Sequence, residues 1–271
     1  MWRAEGRRPT VLSIAGSDSG GGAGIQADLK TFAALDVYGM TAITAVTVQN
    51  TKGVSGYEEL SPHTVEEQIR AVVTDIGADA AKTGMLASAP IVEAVAGAVR
   101  ETGLSNLVVD PVFVSKHGHP LLQDDAVRAL RTMVVPQATL VTPNLHEAGG
   151  LAGFRVATRE DMQRAAAAIL DLGPRAVMVK GGHLQGGAAA DLYADGARAE
   201  WLRSERIDTP NTHGTGCVLS AAIASYLARG EELFEAARLG KEFVTEAIRS
   251  SLAIGQGIGP VDPLFRSRRR G

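Results

Sequence analysis

The sequence has little cysteine and no long apolar run. Its 271 residues include a single cysteine, Cys217, so no intrachain disulfide can form and no thiolate cluster can hold zinc. This cysteine usage favours a reducing compartment, and a cytoplasmic location is expected. No stretch reaches the roughly 18 consecutive apolar residues of a membrane span, and the first residues lack the apolar segment of a signal peptide. We therefore expect a soluble protein without a membrane partner.

Aromatic residues and excess charge are also scarce. Aromatic side chains make up 4% of the chain, and 27 lysines and arginines face 30 aspartates and glutamates. A nucleic-acid-binding protein usually has a basic surface rich in stacking side chains, so this class is not expected. The 45% apolar content is enough for a large core and argues against a disordered chain. Small molecules are the expected partners.

What the sequence does contain is a regular alternation of β-rich and helical segments, which is typical of α/β proteins with a mostly parallel sheet. The predicted strands are Thr10–Ala15, Met40–Val48, Ala78–Thr83, Asn106–Val109, Ala138–Thr142 and Arg175–Val179. The predicted helices between them are Ala23–Leu35, Val65–Ile76, Pro90–Glu101, Ala126–Met133 and Arg159–Leu172. A hairpin, Ala190–Tyr193 with Ala199–Arg203, and two helices, Thr215–Ala228 and Leu233–Ala253, follow. We predict one domain, residues 10–263, between basic tails at 1–9 and 264–271.

Residues that can carry chemistry stand where the predicted strands end. In open parallel sheets, ligands bind outside the carboxyl ends of the strands, because loops and helix N-termini meet there. One pocket could therefore collect all of them, although strands often end in polar or glycine residues for structural reasons alone. The residues are Gly16, Gln49, Met85, Asp110, Asn144 and Lys180.

The most distinctive segment runs from Asn211 to Cys217, Asn-Thr-His-Gly-Thr-Gly-Cys, and leads directly into an apolar helix. Glycines at a helix start leave its N–H groups accessible, and these donors and the helix dipole suit a phosphate or a developing anion. Cys217 falls in the first turn, where the dipole favours the thiolate, which could take a proton from a substrate hydroxyl. A packed, half-buried cysteine is the alternative.

A second glycine-rich segment, residues 16–28, follows the first predicted strand. It matches neither the phosphate loop that ends in Gly-Lys-Ser/Thr nor the dinucleotide-binding fingerprint, which weakens a P-loop or dehydrogenase interpretation. Asp28 lies on the inward stripe of the next helix together with Ile25 and Phe32. A buried charge needs a partner, which could be a ligand or an internal salt bridge.

Asn144 and Glu147 have the spacing of a helix N-cap and its back-bonding glutamate, and a plain capping box explains the pair. A functional interpretation stays open, because Asp110 and Glu147 are oxygen donors at neighbouring strand ends that could hold Mg²⁺ through water. Lys180 ends a buried strand, where its charge must be paired or solvated, and it could neutralise phosphate charge.

The Gln49 amide offers both a donor and an acceptor, which matches the edge of an aminopyrimidine; a solvated loop glutamine is the alternative. His117 and His119 have no third metal ligand at a suitable spacing, so we interpret them as part of a mobile loop. The arginines 268–270 are too few to give nucleic-acid affinity and are interpreted as a solvated end.

Taken in order, these motifs resemble the hydroxymethylpyrimidine/phosphomethylpyrimidine kinases of the ribokinase-like superfamily. The resemblance extends from about Val11 to Pro263. It rests on Ile14-Ala15-Gly16-Ser17-Asp18, Gly21-Gly22-Ala23-Gly24-Ile25-Gln26-Ala27-Asp28-Leu29-Lys30-Thr31-Phe32, Gln49-Asn50-Thr51, Lys82-Thr83-Gly84-Met85-Leu86, Val109-Asp110-Pro111-Val112, Thr142-Pro143-Asn144, Lys180-Gly181-Gly182-His183 and Asn211-Thr212-His213-Gly214-Thr215-Gly216-Cys217.

The resemblance implies a three-layer α/β/α sandwich, homodimeric by family likeness, that uses ATP and Mg²⁺ to phosphorylate 4-amino-5-hydroxymethyl-2-methylpyrimidine and its monophosphate for thiamin biosynthesis. It implies that Cys217 is the base in an anion hole formed by Gly214, Thr215, Gly216 and Cys217. It assigns phosphate contacts to Lys180, Asn144, Gly214 and Gly216, and Mg²⁺-linked carboxylates to Asp110 and Glu147. The implied pyrimidine contacts are Gly16, Asp28, Gln49, Met85 and Val112.

Two alternatives to this function stay open. A vitamin B6 kinase would share the glycine-rich start and the Gly-Cys turn, but the resemblance implies that such relatives often have methionine in place of the pocket glutamine, so Gln49 favours the pyrimidine. A non-catalytic pyrimidine sensor would need neither the proton acceptor Cys217 nor the charged Lys180 and Glu147, and their presence argues against it.

Overall fold

The computed structural model describes residues 7–113, 124–182 and 189–268. Several predictions concern residues outside these ranges: the loop of His117 and His119, His183, residues 1–6 of the N-terminal tail and residues 269–271 of the C-terminal tail.

One twisted sheet forms the centre of the described structure. Its strands are β1 (Thr10–Asp18), β2 (Tyr38–Asn50), β3 (Gly53–Glu59), β4 (Ala80–Thr83), β5 (Leu107–Val109), β6 (Leu140–Val141), β7 (Val177–Val179), β8 (Ala189–Ala194) and β9 (Ala199–Ser204). They lie in the order β3-β2-β1-β4-β5-β6-β7-β8-β9. Neighbouring strands from β2 through β7 pair in parallel, and β3, β8 and β9 are antiparallel to their neighbours.

Helices cover both faces of the sheet, which confirms the predicted three-layer fold. They are α1 (Gly24–Ala34), α2 (Pro62–Asp75), α3 (Ala89–Thr102), α4 (Asp124–Ala129), α5 (Leu145–Ala152), α6 (Arg159–Leu170), α7 (Thr215–Ala228), α8 (Leu233–Arg249) and α9 (Phe265–Arg268). One apolar core joins the sheet to α2 through α6, and a second joins it to α1, α7 and α8. None of the helices in the described ranges is both long and apolar enough to span a bilayer.

The central helix is α7, because it is apolar on every side. All its residues from Val218 to Ala228 are buried, as expected for a helix that contacts other elements all round. It packs against α8, α1 and the strands β1, β4 and β5. This packing places its N-terminus beside the carboxyl ends of those parallel strands.

Several predicted boundaries were wrong. β1 and β2 extend further than predicted, so Gly16 and Gln49 lie within strands, and a bulge between Ala15 and Ser17 lets β1 continue. The edge strand β3 was missed because its residues, Gly-Val-Ser-Gly-Tyr-Glu-Glu, are mostly polar or glycine. Helix α8 ends at Arg249 and not at Ala253. Beyond the predicted domain end, Phe265 is 5% exposed and packs on Phe243.

Two helical glycines give a matched stability test. A side chain at Gly240 of α8 would collide with the buried Ile223 of α7, whereas a side chain at Gly97 of α3 would enter open space. We expect Gly240→Ala to lower the free energy of unfolding by roughly 1–3 kcal/mol through overpacking. Gly97→Ala should raise it by about 0.5–1 kcal/mol, since alanine is the better helix former. Urea unfolding of both variants measures the two effects, and shifts of the same sign would contradict the packing described for α7 and α8.

Candidate active site

A cavity of about 830 Å³ lies at the carboxyl ends of the parallel strands. Its wall brings together all the strand-end residues singled out above, together with Val112, Glu147 and residues 214–217. Of the site residues predicted from the sequence, Asp28 is the one that is not in the wall. The topology therefore accounts for the convergence, because neighbouring parallel strands end on the same edge of a sheet.

The helix start that forms one side of the cavity requires glycine. Gly214 is the N-cap of α7 with φ +80° and ψ 4°, the left-handed region, and a side chain there would overlap the carbonyl oxygen of Gly22. Thr215 Oγ1 donates to the carbonyl oxygen of Thr212 at 2.8 Å and fixes the turn. The first turn of a helix has N–H groups without intrahelical partners, so this wall can hold an anion.

A lysine lies between two carboxylates directly beside this helix start, where a side chain at Gly216 would come within 3.5 Å of Lys180 Nζ. Lys180 Nζ is 2.8 Å from Asp110 Oδ1 and 3.8 Å from Glu147 Oε2. Burial on its own lowers the pKa of Lys180, but Asp110 and Glu147 outweigh it and hold that pKa above its ordinary value. Burial also raises the pKa of Glu147 to about 7, although Lys180 opposes this shift. Lys180 is therefore charged, and Glu147 titrates near neutrality.

The capping interpretation of Asn144 and Glu147 is confirmed. Asn144 Oδ1 accepts the Glu147 N–H at 2.9 Å, and Glu147 Oε2 accepts the Asn144 N–H at 2.7 Å, a reciprocal capping box that opens α5. Both residues also line the cavity. The cap fixes the direction of the Glu147 carboxylate, so structural and functional interpretations of this pair are compatible.

Asp28 lies behind the cavity wall, and its contact with the substrate stays a prediction. Its side chain is 0% exposed and forms an internal salt bridge, with Lys82 Nζ 3.1 Å from Oδ2 and 3.2 Å from Oδ1. Ser13 Oγ donates to Asp28 Oδ2 at 2.6 Å. The alternative weighed from the sequence, an internal ion pair, is the one observed. Its partner Lys82 was not singled out, since a lysine inside a buried strand gives no spacing signal.

Cys217 lies in the wall as predicted, but its protonation differs from the expectation. Burial raises the pKa of the Cys217 thiol to about 11, and Asp28 and Asp110 add to this rise. The Lys82 charge and a hydrogen bond from the Gly24 N–H act in the opposite direction. The helix dipole is thus not strong enough to keep Cys217 ionised near neutral pH. In the ligand-free site the thiol is protonated.

Sequence reasoning also missed the residues that hold the glycine-rich loop. The Asp18 carboxylate accepts the N–H groups of Gly20, Gly22 and Ala23 at 2.8–3.0 Å. His213 Nε2 lies 2.9 Å from Asp18 Oδ2 and 3.3 Å from the Gln49 amide nitrogen. The signal that could have found Asp18 is a carboxylate two residues before a run of glycines, whose N–H groups lack side chains to shield them.

We call the part of the cavity wall that contains Gly16, Gln49, Met85 and Val112 the first lobe. We call the part that contains residues 204–209 and the α8 residues Lys241, Val244, Thr245 and Ile248 the second lobe. Asp191 joins this lobe to the loop after β7, since it accepts the Gly181 N–H at 2.9 Å and lies 2.8 Å from Lys241 Nζ. At about 830 Å³, the cavity lies in the upper part of the size range of small-molecule sites.

A helix start that can hold phosphate, beside a charged lysine and at the carboxyl ends of a mostly parallel sheet, is typical of a phosphotransferase of the ribokinase-like class. Comparison of sequences agrees, because the model of the phosphomethylpyrimidine kinase family matches residues 18–262. The chain belongs to this phosphomethylpyrimidine kinase family.

Individual relatives and solved structures give the same family. The hydroxymethylpyrimidine/phosphomethylpyrimidine kinase of Streptomyces coelicolor is 54% identical, over 94% of this chain and 94% of its own length. The crystal structure of Clostridium difficile 630 phosphomethylpyrimidine kinase has a TM-score of 0.80 and 44% identity, and the match covers 89% of this chain and 100% of that one. An ADP complex of Bacillus subtilis pyridoxal kinase has a TM-score of 0.90 and 43% identity, over 96% and 99%. Backbone similarity therefore does not separate the two acceptor classes.

The raised pKa of Glu147 gives a test of the electrostatics described for Lys180, Asp110 and Glu147. A carboxyl group whose folded pKa is raised above its unfolded value stabilises the fold below the unfolded pKa, and this contribution is lost as the pH rises through the folded pKa. The window therefore runs from the ordinary glutamate pKa of 4.5 to the folded pKa of about 7. We expect Glu147→Gln to gain about 1–3 kcal/mol of unfolding free energy over the native chain across this window. Urea unfolding between pH 5 and pH 8 measures the difference, which must grow with pH; a difference independent of pH would contradict the raised pKa.

Proposed function

We propose that the enzyme transfers the γ-phosphoryl group of ATP to the hydroxymethyl group of 4-amino-5-hydroxymethyl-2-methylpyrimidine. It then phosphorylates the monophosphate to the pyrophosphate from which thiamin is built. The observation that carries this proposal is the shared cavity, whose wall contains Gln49, the α7 start with Cys217 and the α8 residues of the second lobe. An acceptor on one side and a nucleotide on the other would meet at the helix start.

The first lobe suits a flat, polar ring. A side chain at Gly16 would come within 3.3 Å of Met85 Sδ, so glycine here keeps space open beside the thioether. Val112 adds an apolar surface, and the Gln49 amide adds a donor and an acceptor. Apolar walls with a few placed polar groups are typical of small-molecule sites. These features support an aminopyrimidine as the acceptor.

The transfer itself would depend on position and charge. Phosphoryl transfer has a loose transition state, so catalysis comes mainly from alignment and electrostatic stabilisation. The N–H groups at the α7 start and the Lys180 ammonium would stabilise the charge of the moving group. Cys217 lines the cavity and would accept the hydroxymethyl proton as the minor thiolate form, since burial raises its pKa to about 11.

The residues present fit a magnesium ion. Asp110 and Glu147 are hard oxygen donors at the cavity wall, and a side chain at Gly216 would come within 3.3 Å of Asp110 Oδ2, so glycine leaves room there. Mg²⁺ prefers six oxygen ligands and keeps several waters, so two carboxylates acting through water suffice on the protein side. When bound, the ion would neutralise phosphate charge; Asp110 and Glu147 would hold it, and Lys180 would contact the phosphates.

The residues of the second lobe support the proposal that the nucleotide binds there. Leu219, Val244 and Ile248 give it an apolar wall, and Thr209 and Thr245 give hydroxyl groups. An adenine ring needs such a surface with a few hydrogen-bonding groups at its edge. We also propose a cytoplasmic homodimer; the family resemblance supports the dimer, and the single cysteine supports a reducing location.

Substrate preference tests the proposal against a vitamin B6 kinase and a sensor. ADP formation by the purified protein is measured with hydroxymethylpyrimidine, its monophosphate and pyridoxal offered separately. The two pyrimidines should be preferred; a sensor would turn over none of the three, and a B6 kinase would prefer pyridoxal. Gln49→Met removes the amide that matches the aminopyrimidine edge, so its kcat/KM for the pyrimidine should fall by about 10–100-fold relative to that for pyridoxal. Equal losses for both acceptors would contradict the specificity role of Gln49.

Cys217→Ala tests the proton acceptor. The rate with hydroxymethylpyrimidine should fall by about 10²–10⁴-fold, because proton removal from an alcohol needs a base. In the native enzyme kcat/KM should keep rising with pH above 9, since the thiolate population grows until the pH reaches the thiol pKa of about 11. The monophosphate is the internal control, because its own oxygen is already ionised and its rate should fall less. An unchanged rate with the alcohol would remove Cys217 from the mechanism.

A further inference from the structure

Gln49 is the residue proposed to recognise the acceptor ring, and both ends of its side-chain amide lie against other residues of the protein. The amide nitrogen is 3.3 Å from His213 Nε2, and the amide oxygen is 3.3 Å from Thr47 Oγ1. Both neighbours are buried, with His213 6% and Thr47 5% exposed. The two ends of an amide are nearly equal in size, so the donors and acceptors that face them decide which end points where.

His213 presents a hydrogen to Gln49. Its Nε2 is 2.9 Å from Asp18 Oδ2, which already accepts the N–H groups of Gly22 and Ala23 at 3.0 and 2.8 Å. An oxygen that accepts two N–H groups has no room for a hydrogen of its own, so the hydrogen of this third contact is carried by Nε2. An amide nitrogen is therefore the wrong neighbour for Nε2, because two N–H groups would face each other.

Thr47 presents a lone pair to the other end of the amide. Its hydroxyl has a single hydrogen, which is donated to the carbonyl oxygen of Ser17 at 2.9 Å. This bond is shorter than the 3.3 Å contact with Gln49, and a carbonyl oxygen can only accept. Towards Gln49 the Thr47 oxygen can therefore only accept as well. The amide oxygen is an unsuitable neighbour there, because two acceptors would face each other.

We infer that the Gln49 amide makes a half turn about its Cγ–Cδ bond, so that its oxygen faces His213 and its nitrogen faces Thr47, and that the Asp18–His213 pair holds it there. The half turn converts two mismatched contacts into two hydrogen bonds and moves no other residue. The Nε2 hydrogen is then shared between Asp18 and Gln49, and the amide nitrogen donates to Thr47 Oγ1. His213 is a positioning residue in this role, because it acts on the acceptor ring through Gln49.

The orientation determines which way an aminopyrimidine lies in the first lobe, a step that rests on the proposed function. The amide oxygen would accept from the 4-amino group, and the amide nitrogen would donate its second hydrogen to the ring nitrogen beside that group. The hydroxymethyl group is attached on the other side of the amino group. It would therefore lie on the side of His213, which directly precedes Gly214, the N-cap of α7. The opposite amide orientation would pair with the ring turned over, and the alcohol would point away from the helix start.

The orientation can be measured by NMR in the ligand-free protein, labelled with ¹⁵N. Correlations within the imidazole ring show which nitrogen of His213 carries hydrogen, and the signals are assigned by their absence in His213→Gln. We expect the hydrogen on Nε2, and nuclear Overhauser contacts from the Gln49 amide hydrogens to the Thr47 methyl group. An Nε2 without hydrogen, or amide hydrogens that contact the His213 ring instead, overturns the inference. Neither readout involves a substrate, so both are independent of which acceptor the enzyme uses.

A matched pair of variants tests the effect on the acceptor. His213→Gln keeps an N–H donor at the position of Nε2, whereas His213→Leu has a similar size and no donor. The measured quantity is the ratio of kcat/KM for hydroxymethylpyrimidine to kcat/KM for pyridoxal. This ratio should fall by about 3–10-fold in His213→Leu, as expected for the loss of one hydrogen bond, and should stay within about twofold of the native ratio in His213→Gln.

The control is the same pair of variants in a Gln49→Met background, which has no amide to orient. There His213→Leu should leave the ratio unchanged, whereas a general loosening of the glycine-rich loop would act in both backgrounds. An equal change in both backgrounds, or none in the native background, overturns the positioning role.

Thr47→Val is the second variant, and it carries the test where His213→Leu does not fold. It removes the acceptor of the amide nitrogen and should lower the same ratio; an unchanged ratio also overturns the inference. Failure of the native enzyme to phosphorylate either pyrimidine would contradict the proposed function, while the amide orientation measured by NMR would still hold.

Discussion

The contact between His213 and Asp18 determines the geometry of the whole site. It joins segments 195 positions apart in the chain, with 2.9 Å between Nε2 and Oδ2. Burial on its own raises the pKa of Asp18, but His213 and the N–H groups of the loop outweigh it, and the net pKa is lowered. The carboxylate therefore stays ionised while it accepts hydrogen bonds from the N–H groups of the glycine-rich loop. Because His213 directly precedes Gly214, the same contact locates the start of α7 relative to β1.

This arrangement explains why glycine is needed on both sides of the contact. Gly24 at the start of α1 has φ +56°, and Gly214 at the start of α7 has φ +80°. Side chains at either position would overlap backbone carbonyl oxygens, those of Gly16 and Gly22 respectively. Two helix starts can thus approach each other and β1 closely, and Cys217 reaches the strand ends because of that approach. A larger residue at either glycine would displace the sulfur together with the helix.

The sequence was informative where a local pattern controls the structure. Strand ends converge whatever the details of packing, so Met85, Asp110 and Lys180 could be placed in one pocket from the order of strands and helices. Asp28 could not be assigned in this way, because its partner Lys82 lies 54 positions away. The two meet only because α1 packs on β1 and β1 pairs with β4. The prediction that the helix start favours the Cys217 thiolate was wrong for a related reason. Position in a first helical turn predicts a lowered thiol pKa. Burial among groups that are distant in the sequence raises the pKa instead.

A protonated thiol suits an enzyme that phosphorylates two different acceptors. The first acceptor is an alcohol, and a thiolate with a high pKa is a stronger base toward it, although less of the thiolate is present. The second acceptor is a phosphate monoester whose oxygen needs no base, and a permanent negative charge on the adjacent sulfur would repel it. A thiol that is mostly neutral but forms a small thiolate population can act as a base toward the alcohol and does not repel the phosphate monoester. The parts of the site common to both steps would then be those proposed to act on the transferred group itself, namely the α7 start, Lys180 and the two carboxylates.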